Sequence, residues 1–205
     1  MSVRNPTIPT TKDYLIDAAV RKFHQKGYQK TRISDIVSEA GVAQGTFYLY
    51  FKSKEEIFKN ICIEHMSQFQ KIFEETDILF GGKNLNEIRK NIHTFLKKLL
   101  EVYKENIHVS ELLFREGVGH DGLFKEINQK FFNEFIKLIR EHMQRDISPG
   151  QFRLEDAETL SVFLFGVFER SAFYFMLMQK QFDTEKLAER MTDFMLNGLQ
   201  LNYAQ

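Results

Sequence analysis

Residues 33–51 read ISDIVSEAGVAQGTFYLYF. In and beside this stretch lie side chains with the chemistry to read and hold a nucleic-acid duplex. Gln44 carries an amide, which can pair bidentately with adenine N6 and N7. Thr46 can hydrogen-bond a base edge or touch a thymine methyl. Ala43 and Gly45 contribute by lack of bulk, which lets the backbone come close. The hydroxyls of Tyr48 and Tyr50 suit phosphate oxygens; the competing use of each ring is as a core aromatic. Lys52 and Lys54 stand where the next helix begins, and its amide dipole adds positive potential there. For Lys54 the alternative is a solvated surface lysine. Thr31, Arg32 and Ser34 lie at the start of the preceding helix, over the backbone or the groove edge. Arg32 reads a base or only holds a phosphate. Arg4, on the N-terminal arm, could reach a minor groove.

These groups need a frame, and the spacing provides one. Val37, Gly41 and Phe47 stand at relative positions 0, +4 and +10. Val37 packs a first short helix, 33–40, against a second, 43–50. Gly41 supplies the left-handed backbone of the turn between them. Phe47 anchors the second helix from the core side. The result is a helix-turn-helix, whose second helix enters the major groove. An ordinary helical hairpin shares the spacing and is the plainer reading. The charge is uneven: residues 1–60 hold ten basic and six acidic side chains, a net +4, whereas the rest of the chain is −4, so the total is zero. Such a split suggests a basic module that meets a polyanion joined to a neutral-to-acidic body, with chance scatter as the plainer reading.

The surrounding elements read as helix throughout. Only three prolines occur, and Pro9 and Pro149 are 140 positions apart, which suits long helices. Thr11 caps a helix over about 12–26 whose apolar face is Leu15, Ala19 and Phe23, with Gly27 as its stop. Thr31 caps 33–40. Ser53 and Glu56 form a capping box for a long helix to about Thr76. Gly81-Gly82 interrupt the chain. Further helices are expected over about 84–103, 107–116, 121–145, 154–180 and 183/184–199, with the strongest turn signal at Ser148-Pro149-Gly150. The expected fold is all-α with about nine helices.

The composition argues against catalysis. The six histidines (24, 65, 93, 108, 120, 142) never fall at His-x₃-His spacing, and His24 and His142 read as exposed helical positions. Neither a glycine-rich phosphate loop nor a Gly-x-Ser-x-Gly elbow occurs. Cys62 is the only cysteine, which rules out an internal disulfide framework and fits a reducing compartment. Its plain role is a small buried filler rather than a redox sensor. No metal and no cofactor is expected. The N-terminus has no apolar run, and no stretch of 18 or more residues reads as uncharged and apolar enough to span a bilayer. Cytoplasmic localisation is the expectation.

Beyond residue 60 phenylalanine dominates, with 17 of the 21 in the chain. Helix 154–180 contains VFLFGVFERSAFYFMLM, apolar all round apart from Glu169, Arg170 and Ser171. Such a helix is buried on every side, and a second chain is the natural cover, with Phe173 and Met176 as candidate interface residues. The Glu169-Arg170 pair argues against a membrane helix. Phe95, Leu99, Phe114, Phe135, Phe165, Phe168 and Tyr174 could line a pocket, or fill a plain packed core. Arg115 or Glu169 could anchor a ligand there, or each could form a structural ion pair. An apolar pocket of this kind suits a hydrophobic molecule, with fatty acyl derivatives, bile-like amphiphiles and lipophilic drugs all fitting.

The flanks raise the specificity of the helix-turn-helix. Ala18-Ala19, Phe23, Gly27-Tyr28, Thr31, Ile36, Ala40-Gly41-Val42, Gly45-Thr46, Tyr48, Tyr50-Phe51 and Lys52-Ser53-Lys54-Glu55 together resemble the N-terminal domain of the TetR family, tetracycline-repressor-like regulators of bacteria. The resemblance is strong over 11–60. Beyond it, 150–168 is similar to the start of the family's penultimate long helix. It implies a DNA-binding domain at 1–52 and a ligand-binding and dimerisation domain at 53–205, with helix 53–76 connecting the two. It also implies a homodimer paired through its last two long helices, a phosphate contact at Tyr48, and release from a double-stranded DNA operator by a small-molecule inducer. Arg32 departs from the small hydroxyl residue common in the family. The resulting expectation is a transcriptional repressor released by a hydrophobic molecule, without membrane association. The alternative is a soluble helical carrier for an apolar ligand.

Overall fold

The structure is a computed structural model that describes residues 9–117, 122–147, 156–179 and 183–198, without the side chains of 114–117 and 123–124. Helix α1 (Thr11–Lys26) starts at a capping box one residue earlier than the sequence suggests. Thr10 is the N-cap: the Asp13 N–H donates to its hydroxyl at 3.3 Å, and the Thr10 N–H donates to the Asp13 carboxylate at 2.7 Å. Leu15, Ala18, Ala19 and Phe23 form its buried face. Helices α2 (Ile33–Ala40) and α3 (Gln44–Tyr50) follow, then α4 (Lys54–Glu74), α5 (Leu85–Glu105), α6 (Ile107–Gly117), α7 (Leu123–Asp146), α8 (Ala157–Ala172) and α9 (Thr184–Asn197). The last turn of α8 runs on as a π-helical segment, Phe173–Met178. No strand occurs among the described residues.

The chain forms two compact units, 1–65 with 108–127 and 66–107 with 128–205. The division differs from a boundary at 52/53. The core of the first unit joins Leu15, Phe23, Ile36 and Phe47 not only to Ile57, Phe58 and Ile61 of α4 but also to Val109 and Leu112 of α6. The first half of α4 and Val109 and Leu112 of α6 thus complete the N-terminal core. Helix 53–76 is not the sole connection, because α7 also crosses from one unit to the other.

In the second unit the phenylalanines build one continuous aromatic stack. Phe73 meets Phe95 at 4.7 Å and Phe135 at 5.1 Å, and Phe135 stacks on Phe168 at 5.7 Å. The turn after α4 is fixed from a distance. The Asp146 carboxylate accepts the backbone N–H of Leu79 at 2.6 Å and of Phe80 at 3.1 Å. Burial opposes ionisation of Asp146, but the hydrogen bonds from Arg145 and these amides outweigh it and hold the pKa below the ordinary range. Gly81 and Gly82 sit in close quarters: a Cβ would stand 2.9 Å from Ile78 and 3.0 Å from Glu87, so a larger residue at either position needs its neighbours to shift. His142, expected on the surface, is buried between the Leu138 carbonyl at 3.0 Å and that of Thr76 at 3.3 Å.

One helix bears on the expectation about membranes. Ala157–Met178 is long and apolar enough by composition to cross a bilayer, with a mean hydropathy of 1.5. Its inner face, Ser161, Phe165, Phe168, Glu169 and Ala172, is buried in the second unit. Lipid would make a buried Glu169 beside Arg170 costly.

Candidate nucleic-acid interface and apolar pocket

The turn between α2 and α3 has the expected geometry. Gly41 adopts φ +69°, ψ +29°, a left-handed conformation that a Cβ would strain. Phe47 is fully buried and Val37 nearly so, and Phe47 packs on Phe51 at 5.7 Å. With α3 pinned from inside, its other residues face outward. Gln44, Gly45, Tyr48, Leu49 and Tyr50 are exposed, and Thr46 is half-buried. Ala43 is the N-cap rather than the first helical residue. Neither Tyr48 nor Tyr50 is a core aromatic: they are 52% and 42% exposed. Nothing lies within 4 Å of a Cβ placed on Gly45, so the helix offers open backbone there.

Beside α3 the basic side chains sort into two classes. Arg21 and Lys22 both pair with Glu39, at 2.9 and 2.6 Å, and Lys26 pairs with Asp35 at 2.8 Å. Those cations are partly neutralised within the unit, and they hold the carboxyls of Glu39 and Asp35 below the ordinary range. Lys30, Arg32, Lys52 and Lys59 are exposed and make no ion pair among the described residues. Ser34 is exposed beside them. The Arg32 backbone N–H donates to Asp35, and Arg32, not Thr31, is the N-cap of α2.

Two of the expected duplex contacts are committed elsewhere. Thr31 is 1% exposed, and its hydroxyl donates to the carbonyls of Gly27 at 2.8 Å and Lys22 at 3.2 Å. The Lys54 ammonium donates to the carbonyls of Tyr28, Gln29 and Thr31, at 2.9, 3.3 and 2.9 Å. It also sits 4.5 Å from the centre of the Tyr28 ring. Both residues brace the α1–α2 connection. Ser53 caps α4 through the Glu56 N–H at 3.2 Å, while the Glu56 carboxylate accepts the Lys52 N–H at 2.6 Å.

The second unit holds a small apolar cavity lined by Leu79, Phe80, Leu99, Phe135, Leu164 and Met195, together with Phe95 and Phe168. Of the anticipated lining residues, Phe95, Leu99, Phe135 and Phe168 are there. Phe165 is buried but belongs to the packing behind the wall, 5.0 Å from Phe135. Tyr174 is 46% exposed and does not line the cavity. The side chains of Phe114 and Arg115 lie outside the described residues. Glu169 is 8% exposed, and burial raises its pKa despite Arg170, 3.6 Å away. It too is absent from the lining. The free space is about 20 Å³, roughly enough for one water.

Sequence reasoning missed one buried polar pair. His65, on α4, is buried and shares a hydrogen bond with the Ser110 hydroxyl of α6 at 3.1 Å. Burial lowers its pKa to about 4. No local signal marks this pair, because 45 residues separate its members. Cys62, by contrast, is the buried filler expected, and burial pushes its thiol up to about 12.

The candidate interface partner Met176 is 2% exposed and belongs to its own unit's core. Phe173 is half-buried, with the Arg170 guanidinium 5.2 Å from its ring centre. On α8 and its π-helical extension the exposed large apolar side chains are Val162, Phe163, Tyr174, Phe175 and Met178, and α9 adds Phe194.

Residues 15–61 match the family model for bacterial regulatory proteins of the tetR family. The fatty acid metabolism regulator protein of Bacillus subtilis is 32% identical over 136 residues, covering 55% of this chain and 70% of that protein. A putative fatty acid metabolism regulator of Clostridium perfringens has a similar structure, with a TM-score of 0.77 and 25% identity over 92% of this chain and 100% of that one. The fold is also shared by the transcriptional regulator FadR of B. subtilis in complex with stearoyl-CoA, with a TM-score of 0.69 and 21% identity over 91% and 98% of the two chains. The chain belongs to the TetR family: it is a helix-turn-helix transcriptional regulator, not an enzyme.

Proposed function

We propose that the protein is a repressor that binds a near-palindromic operator as a homodimer and is released by a long-chain fatty acyl derivative. The observation that carries the DNA half is the outer face of α3, where Gln44, Tyr48 and Tyr50 stand exposed around a helix anchored by Phe47. Gln44 and Thr46 read base edges in the major groove, and Ala43 and Gly45 let the backbone approach. Tyr48, Tyr50, Lys52, Arg32 and Ser34 hold phosphates. A DNA-binding regulator of this family acts in the cytoplasm, and that is the location assigned to it.

The effector half rests on two supports. The cavity is lined by aliphatic and aromatic side chains, and the 32% identical relative is named a regulator of fatty acid metabolism. A space of about 20 Å³ is far below the several hundred cubic ångströms of a ligand pocket. An acyl chain therefore enters by displacing Phe95, Phe135 or Phe168. Binding that moves packed side chains has a differential affinity for two states, which a releasing ligand needs.

The dimer half is supported by the outer stripe of α8. Val162, Gly166, Arg170 and Tyr174 recur every four residues, with Phe163 and Phe175 beside them. Nothing lies within 4 Å of a Cβ placed on Gly166, so another helix can approach closely.

Selection of duplexes from a random pool, followed by anisotropy titration at 50 and 200 mM salt, tests the reading. With about 6–10 phosphate contacts, affinity falls roughly 10³–10⁵-fold across that range. Failure to retain any duplex at low salt would leave the carrier alternative.

A further inference from the structure

We propose that His24, His108 and Glu111 form a binding site for one divalent transition-metal ion of the zinc type, within the N-terminal unit and separate from both the face of α3 and the apolar cavity. His24 lies in the last turn of α1; His108 and Glu111 lie three residues apart near the start of α6. One ligand atom from each of the three lies within 4.8 Å of the others. The His24 and Glu111 side chains already meet, Nε2 to Oε2, at 2.9 Å. The two imidazoles are inclined at 51° to each other, with ring centres 4.2 Å apart.

The donor set matches the chemistry. Three ligands on a tetrahedral ion with bonds of about 2.0–2.1 Å stand roughly 3.4 Å apart. Side-chain rotations that open the 2.9 Å His24–Glu111 contact and draw in any wider spacing, up to 4.8 Å, reach that value. Two imidazoles and a carboxylate suit zinc, nickel or copper better than magnesium or calcium, which take oxygen ligands. Three protein ligands leave a fourth position for water or a further donor. Solvent reaches the site, since His108 is exposed while His24 and Glu111 are half-buried. Without an ion the His24–Glu111 hydrogen bond occupies the same atoms, and the metal replaces its proton. An ion bound there ties α1 to α6, two helices of the same core.

The test uses full-length protein free of any histidine tag. Zinc is titrated against a chromophoric chelator, and cobalt(II) absorption reports the coordination. The site predicts one ion per chain at micromolar or tighter affinity and a tetrahedral cobalt spectrum. His108→Ala, on the surface, and Glu111→Gln each weaken zinc binding by at least about tenfold, the loss that even an outer hydrogen-bond partner of a metal ligand brings. His93→Ala, at the His93–Glu185 pair of the other unit, leaves it unchanged. Zinc raises the melting temperature of the unmodified chain but not of His108→Ala. Binding no tighter than millimolar, or undiminished binding by His108→Ala, overturns the proposal.

Discussion

The Lys54 ammonium lies over the Tyr28 ring, 4.5 Å from its centre, and donates to the Tyr28 carbonyl at 2.9 Å. A residue that the sequence places against DNA is instead a brace across the α1–α2 connection. Removing it takes one donor from each of three carbonyls, two of them part-buried, though that of Tyr28 keeps the Thr31 N–H at 3.3 Å. Lys54→Met keeps the stem and should cost about 1–3 kcal/mol. In a chain of this size that lowers the melting temperature by roughly 2–4 °C per kcal/mol. An unchanged melt with weakened DNA binding would return Lys54 to the interface.

Gln44 and Tyr48 are expected to separate by the kind of loss. Gln44→Ala should relax preference at one base pair per half-site by about 1–3 kcal/mol. Tyr48→Phe and Lys52→Ala should weaken binding to all duplexes alike, because phosphate contacts position without discriminating. Selected-site profiles for the three variants check this. A profile for Gln44→Ala identical to that of the unmodified chain removes Gln44 as a base reader.

Much of the N-terminal unit was legible because its signals are local. The Val37, Gly41 and Phe47 spacing encodes the turn, and the φ of +69° at Gly41 follows from it. The roles of Thr31 and Lys54 were not legible, since each depends on carbonyls contributed by α1 and the segment after it. The same holds for α6. Its packing against α1 sets His24 beside His108, 84 positions away, where spacing rules for metal ligands have nothing to read. On α8 the all-round apolar pattern does not say which side turns inward, and Val162 and Phe163 are exposed while Phe165 and Phe168 are buried. The π-helical segment 173–178 breaks the helical register, and Met176 turns inward while Tyr174 and Phe175 stay outside.

His65 sets a pH dependence. Its folded pKa is about 4, below the ordinary 6.5, because burial disfavours the charged ring. Stability from this group is complete above about pH 6.5. It is lost as pH falls toward 4, because the unfolded chain then takes up a proton that the folded chain refuses. His65→Gln should flatten the fall of melting temperature between pH 6.5 and 5 relative to the unmodified chain. Parallel curves for the two proteins would assign the acid sensitivity elsewhere.

The outer stripe of α8 predicts the oligomeric state. Phe163→Asp, at a 57% exposed position, should yield a folded monomer in sedimentation. Met176→Asp should instead unfold the second unit, because an unpaired charge would be buried there. A monomeric unmodified chain at micromolar concentration would exclude this interface.

Ligand-responsive DNA binding is the centre of the account, and reciprocity tests it most directly. The measurement is the affinity of the protein for stearoyl-CoA, with and without a saturating selected operator duplex. If the acyl derivative releases the protein from DNA, operator must weaken acyl binding by the same factor that the ligand weakens operator binding, about 5–150-fold. Equal acyl affinities with and without DNA would contradict the account, whatever the strength of either interaction alone.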